Sequence, residues 1–154
     1  MKALKKIISI AAAFAMLTGG SLGDIPGRIT DKYLYSASAA DAAASGECGA
    51  EGDNLTWTLS TDGVLTISGE GEMADWDYDT PWYDYNEDIK NVVIQEGVTS
   101  IGNNAFYSCY DLNGVTLPDS LTSIGDSAFY NCKKLDLINI PNSITYIGNR
   151  VLRW

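Results

Sequence analysis

A unit of 23 residues occurs twice in succession in the second half of this 154-residue chain. Val92–Gly114 laid over Val115–Leu137 gives ten identities in 23 positions. Thr99-Ser100-Ile101-Gly102 returns as Thr122-Ser123-Ile124-Gly125, Ala105-Phe106-Tyr107 as Ala128-Phe129-Tyr130, Cys109 as Cys132 and Leu112 as Leu135. A third copy starts at Ile138, repeats Ile147-Gly148 and reaches Trp154 after seventeen residues. A constant offset of this length is the mark of a stacked-repeat architecture. One unit cannot bury its own apolar side, whereas successive units stacked at a strand spacing of about 4.8 Å share a continuous core.

Each unit opens on a short alternating segment: Val92-Val93-Ile94, Val115-Thr116-Leu117 and Ile138-Asn139-Ile140. The outer residues of each triplet point one way and the middle residue the other, as in a strand. Pro118 and Pro141 follow at once and end the strand, because proline donates no ladder hydrogen bond. A second apolar stretch closes at Ile101, Ile124 and Ile147, each followed by a glycine expected to turn with positive φ. Asn103–Ser108 and Asp126–Asn131 then read as single helical turns with Phe106 and Phe129 inward and Asp126 as N-cap. The expected fold is an α/β, β-rich solenoid of 23-residue units, each made of short strands plus a helical turn.

The motifs Leu112-x-x-Val115-x-Leu117 and Leu135-x-x-Ile138-x-Ile140 resemble the leucine-rich-repeat strand signature. The remainder, Ile-Gly-x-x-Ala-Phe-Tyr-x-Cys-x-x-Leu, resembles the BspA-like subfamily of bacterial surface proteins over roughly residues 92–154. That resemblance implies a leucine-rich-repeat-like coil and a role in attachment to host matrix proteins or to other cells. Ser120 and Ser143 stand where the commoner leucine-rich pattern places an asparagine after the strand, so no asparagine ladder is expected there.

Leu55, Trp57 and Leu59 alternate with threonines, Thr61-Asp62-Gly63 supplies a turn, and Val64–Ser68 alternates again. This pattern predicts a β-hairpin. With Ser45–Gly49 before it and Pro81-Trp82-Tyr83 after it, the segment 41–91 resembles the N-terminal region of the same family. It is expected to cap the first of the repeats, which occupy 92–114, 115–137 and a partial 138–154. The third unit closes on Trp154, read either as a lid or as the sign of a shortened piece of a longer repeat protein.

Residues 1–40 have another character. Lys2, Lys5 and Lys6 precede an apolar run from Ile7 to Leu17, the dimensions of a secretory signal rather than of a membrane span. A signal peptide and leader over 1–40 imply a secreted or cell-surface bacterial protein, with no membrane insertion once the signal is removed. The remaining residues carry 18 acidic and 5 basic groups, a net charge of −13. Such a surface repels nucleic-acid phosphate and anionic membranes.

The chain holds no histidine, which removes imidazole bases and ligands from consideration. Asp75, Asp77 and Asp79 alternate like the start of a calcium loop, but Thr80 replaces the expected glycine and Pro81 follows. They read better as a solvated acidic loop whose aromatics pack on the solenoid end. No phosphate-binding loop or cysteine–histidine cluster occurs, and carboxylate abundance alone does not make an acid–base pair. No catalysis, cofactor or metal is therefore expected. Cys109 and Cys132 share a repeat position, close enough for a disulfide but better read as a reduced, buried pair; Cys48 has no repeat partner.

The exposed strand column supplies the candidate binding strip for an extracellular protein: Val93, Thr116 and Asn139, flanked by Gln95, Pro118 and Pro141. It is small and uncharged, so association there desolvates little charge. The alternative is a carbohydrate-binding accessory domain that stacks sugar rings on Trp76, Trp82, Tyr83 and Tyr85.

Overall fold

The computed structural model describes residues 42–136 and 138–153. The expected export leader and the Trp154 lid lie outside them. In chain order the strands are β1 (Ala42–Gly49), β2 (Gly52–Ser60), β3 (Val64–Gly69) and β4 (Gly71–Glu72), then β5 (Asn91–Ile94) and β6 (Val98–Ile101). They continue with β7 (Gly114–Thr116), β8 (Ser123–Ile124), β9 (Phe129–Tyr130), β10 (Tyr146–Ile147) and β11 (Leu152–Arg153). One 3-10 turn at Tyr83–Tyr85 is the only helix among the described residues.

These strands wind as a β-solenoid of about four turns. One face is a five-stranded sheet in the order β1-β2-β3-β5-β7, the second a four-stranded sheet β10-β8-β6-β4, and the third the pair β11-β9. The hairpin β2–β3 forms where alternation and turn chemistry place it, with Leu55 opposite Gly69 and Leu59 opposite Leu65. Its turn is closed by Gly63 N–H on the Ser60 carbonyl, at a φ of 90° that favours glycine. Strand β3 then pairs in parallel with β5, Leu65 beside Val92 and Ile67 beside Ile94, so the hairpin and the coils share one sheet.

The core follows the repeat. Ile101 and Ile124 are buried on the second face, Leu112 and Leu135 before the first, and Phe106 and Phe129 on the third. Trp82 takes the Phe106 position one coil earlier: Trp82, Phe106 and Phe129 stack with centroids 5.5 and 5.1 Å apart and nearly parallel rings. The Trp82 indole N–H donates to the Ala105 carbonyl at 2.9 Å, which satisfies a polar group that burial would otherwise penalise.

Four local expectations are corrected. Asn103–Ser108 and Asp126–Asn131 are not helical turns. Alternate N–H groups leave the coil instead, Asn104, Phe106 and Ser108 donating to the carbonyls of Asp126, Ala128 and Tyr130 in the next one. Ser127, Phe129 and Asn131 do the same to Asn149, Val151 and Arg153. A helix would satisfy these donors within the coil, whereas stacking spends them between coils. Within the repeats the left-handed residues are the corner positions Asn104, Ser108, Ser127, Asn131 and Arg150; Tyr78, in the acidic loop before them, is also left-handed.

Gly102, Gly125 and Gly148 are not among the positive-φ glycines. They are glycine because the neighbouring coil lies against them. A Cβ on Gly125 would sit 2.6 Å from the Asn103 nitrogen, one on Gly148 would sit 2.6 Å from the Asp126 nitrogen, and one on Gly102 would overlap the Ala74 carbonyl.

The residue after each glycine uses the same proximity. The Asn103 N–H donates to Asp75 Oδ1 at 2.7 Å, Asp126 N–H to Asn103 Oδ1 at 2.6 Å, and Asn149 N–H to Asp126 Oδ1 at 2.7 Å. Asp126 thus caps its neighbour rather than a helix of its own. Ser120 and Ser143, at the offset where no asparagine ladder was expected, donate to the Val98 and Leu121 carbonyls of the preceding coil.

Ile138-Asn139-Ile140 forms no strand. The five-stranded sheet stops at β7, and Ile140 is 42% exposed. Among the described residues nothing lies on the far side of this segment, so a strand there would gain only one ladder.

Cys48, Cys109 and Cys132 are all buried free thiols. The Cys132 Sγ–H donates to the Phe106 carbonyl at 3.1 Å, a bond between adjacent coils. Burial pushes the Cys48 and Cys132 thiols from 9.0 up to about 12. It raises Cys109 as well, with the neighbouring Cys132 adding to the effect.

Two stability predictions follow from this packing. Gly125→Ala should cost about 1–3 kcal/mol, the usual range for overpacking, because backbone would have to move. Gly114→Ala meets only the flexible Asn91 side chain and should change stability by less than about 0.5 kcal/mol. Urea unfolding of the two variants measures the contrast. The thiols have folded pKa values above their unfolded ones, so their contribution is complete below pH 9 and is lost as pH rises toward 12. Each thiol contributes a slope of up to about 1.4 kcal/mol per pH unit there. The urea midpoint should therefore fall between pH 9 and 11, and fall less in a variant with all three cysteines changed to alanine.

Candidate functional site

Strand pairing carries the candidate strip further than the repeats do. Ser45 faces Thr58, Thr58 faces Thr66, Thr66 lies beside Val93, and Val93 beside Thr116. Residues in register on neighbouring strands point to the same side. One row of small hydroxyl and valine side chains thus crosses all five strands at right angles to the chain. Ser45 is exposed, Thr58, Val93 and Thr116 are half-buried, and Thr66 at the centre is buried between its neighbours. A second row, Glu47, Thr56 and Ser68, runs beside it, tied by a 3.2 Å hydrogen bond between the Thr56 and Ser68 hydroxyls. Glu47 is the one charged side chain in the two rows, in a chain otherwise rich in carboxylates.

The six strip residues fare differently. Val93 and Thr116 are adjacent and half-buried, and Gln95 is exposed beyond Ile94. Pro118 is buried, not exposed, because the chain turns inward after Thr116. Asn139 and Pro141 lie past the last paired strand of this sheet, so pairing does not bring them into the row. Ser45, Thr58 and Thr66 join the row only through strand pairing. Their signal was the Thr-x-Thr alternation of β2, whose alignment with the repeats depends on a strand register that no local pattern reveals.

The aromatic cluster does not form an open platform. Trp82 is fully buried, with its faces taken up by Phe106 on one side and the edges of Trp57 and Trp76 nearby at 5.9 and 6.3 Å. Trp76 and Tyr85 are half-buried against the same core, and Tyr85 packs tilted on Trp57. Only Tyr83, 55% exposed, offers a free ring from the four. The indoles are consumed by the first coil, whose end they cover.

The acidic loop is anchored and not convergent. Asp75 is engaged with the Asn103 N–H, and the Trp76 N–H donates to the Asn103 carbonyl at 3.1 Å. Asp77 and Asp79 are exposed. Among the described residues no group of three or more histidine, cysteine or acidic side chains converges to hold a metal ion.

The second face carries a different row. Glu72, Ser100, Ser123 and Tyr146 are paired in register across β4, β6, β8 and β10. With Asp75 and Asn103 they line a shallow depression that runs across the coils. A neighbouring depression is lined by Asp126, Ser127, Asn149 and Arg150. No helix among the described residues is long and apolar enough to cross a membrane.

Residues 82–153 match the family model described as BspA type leucine rich repeat region (6 copies). Among solved structures, the chain is similar to a leucine-rich repeat protein from Eubacterium ventriosum, with 34% identity and a TM-score of 0.61. That match covers 72% of this chain and 36% of the other. A T. pallidum leucine-rich repeat protein matches at 27% identity and TM-score 0.44, over 68% of this chain and 55% of its own. A leucine-rich cell surface protein from Faecalibacterium prausnitzii matches at 25% identity and TM-score 0.45, over 73% of this chain and 34% of its own. The chain thus spans about a third to about a half of these relatives. No curated protein matches it.

Proposed function

Because residues 82–153 are a BspA-type leucine-rich repeat region, we propose that this chain is a non-catalytic adhesion module that binds an extracellular protein through the outer face of its five-stranded sheet. The family is one of bacterial surface proteins, consistent with protein interaction. The observation that carries the reading is the row Ser45–Thr58–Thr66–Val93–Thr116, held in register across β1, β2, β3, β5 and β7. A row of short, β-branched and hydroxyl side chains has little rotamer entropy to lose on association. Being almost free of charge, it avoids the cost of desolvating the carboxylates that cover the rest of the chain.

The basic start at Lys2, Lys5 and Lys6 and the apolar run Ile7–Leu17 support export to the cell surface or beyond it, where a −13 charge on the remaining residues would keep copies apart. The lack of histidine, which removes imidazole bases and ligands, supports a reading of binding without chemistry.

An array of extracellular matrix proteins tests this reading. The wild-type chain should bind at least one of them. Thr116→Arg and Thr58→Arg place a long cation in the row and should each weaken that binding about tenfold or more, roughly 1.4 kcal/mol. Melting temperatures should stay within a few degrees, since both positions are half-buried at most. Binding unaffected by both variants contradicts the assignment of the face, and loss in Thr116→Arg alone confines the site to the repeats.

A further inference from the structure

The bonds that join coils on the second face leave a pattern of free atoms. Asp75, Asn103 and Asp126 each hold the next coil's N–H through Oδ1. The other terminal atom of each side chain is then Oδ2 of Asp75, Nδ2 of Asn103 and Oδ2 of Asp126: acceptor, donor, acceptor. Among the described residues none of these three atoms has a protein partner. Each is fixed in place by the bond its neighbour atom makes, and each advances by one coil, about 4.8 Å.

A hydroxyl row runs parallel to it. The Ser100 hydroxyl accepts from the Met73 N–H at 3.2 Å, which leaves its own proton free to donate. Ser123 lies beside it in register, and Tyr146 ends the row with a ring 56% exposed. Asp75, Asn103, Ser100, Ser123, Tyr146 and Glu72 line one shared depression.

We propose that this second face binds a neutral linear polysaccharide laid along the solenoid axis. Ring hydroxyls both donate and accept, so they match an alternating acceptor–donor row that a purely apolar or purely anionic partner would not satisfy. A pyranose unit advances by close to one strand spacing, in step with the row. An extended peptide repeats its edge groups every two residues, about 6.7 Å, and falls out of step. The carboxylates of Glu72, Asp75 and Asp126 repel anionic chains, which selects a neutral one. Tyr146 supplies the apolar face on which a sugar ring stacks. This surface is separate from the protein-binding row, and neither depends on the other.

Affinity electrophoresis of the chain through gels containing soluble β-glucan, galactomannan or amylose tests the inference. At least one polymer should retard it. Asn103→Asp keeps the acceptor for the Asp126 N–H but reverses the outward donor, and should weaken retardation about tenfold, the equivalent of a lost hydrogen bond with a mismatched partner. Tyr146→Ala, at an exposed position that leaves the core intact, should act similarly. Thr116→Arg, on the other face, should leave it unchanged. Retardation by none of the three polymers overturns the inference, as does retardation that is equal in the wild type, Asn103→Asp and Tyr146→Ala.

Discussion

The close approach of one coil to the next is the constraint on which the rest of the molecule depends. At Gly102, Gly125 and Gly148 the neighbouring backbone occupies the place of a side chain. That contact brings Asp75, Asn103 and Asp126 within reach of the next coil's N–H groups. It also lets Phe106 stack on Trp82 and Phe129 on Phe106. If the coils separated, the donors of Asn104, Phe106 and Ser108 would exchange these partners for water, a net loss of roughly 0.5–1.5 kcal/mol per bond, while the rings of Phe106 and Phe129 would lose their burial. Backbone bonding, side-chain bonding and aromatic packing thus all act along the same axis.

The N-terminal segment obeys the same rule by another route. Its hairpin contributes β3 as the parallel neighbour of β5, and its loop contributes Trp82 as the first ring of the stack. The Asp75 carboxylate begins the row of bonds that Asn103 and Asp126 continue. Trp76 and Trp82 are therefore structural side chains of the first coil, and an exposed sugar platform built on them is inconsistent with Trp82 having no accessible surface.

Periodicity alone revealed the solenoid, the inward placement of Phe106 and Phe129, and the burial of Cys109 and Cys132, because each depends only on position within the unit. The misread features depend on what stands one unit away. Gly125 suggested a left-handed turn when considered with its own neighbours, yet its reason is the Asn103 nitrogen of the previous coil. Asp126 looked like a helix cap for the same cause, although its partner is the Asn149 N–H. The row from Ser45 to Thr116 was invisible because a β-bulge-free register between β3 and β5 is a three-dimensional fact. A one-residue slip there would have turned Thr66 inward.

Native-state hydrogen exchange tests the central claim that coil-to-coil stacking unites the hairpin and the repeats. The amides of Phe106, Gly125 and Phe129, which donate between coils or to the coil before, should share one opening free energy with the β2 amides of Leu55 to Leu59. That common value should match global unfolding in urea. Two separated free energies, with β2 protected while the Phe106 and Phe129 amides exchange freely, would contradict the account.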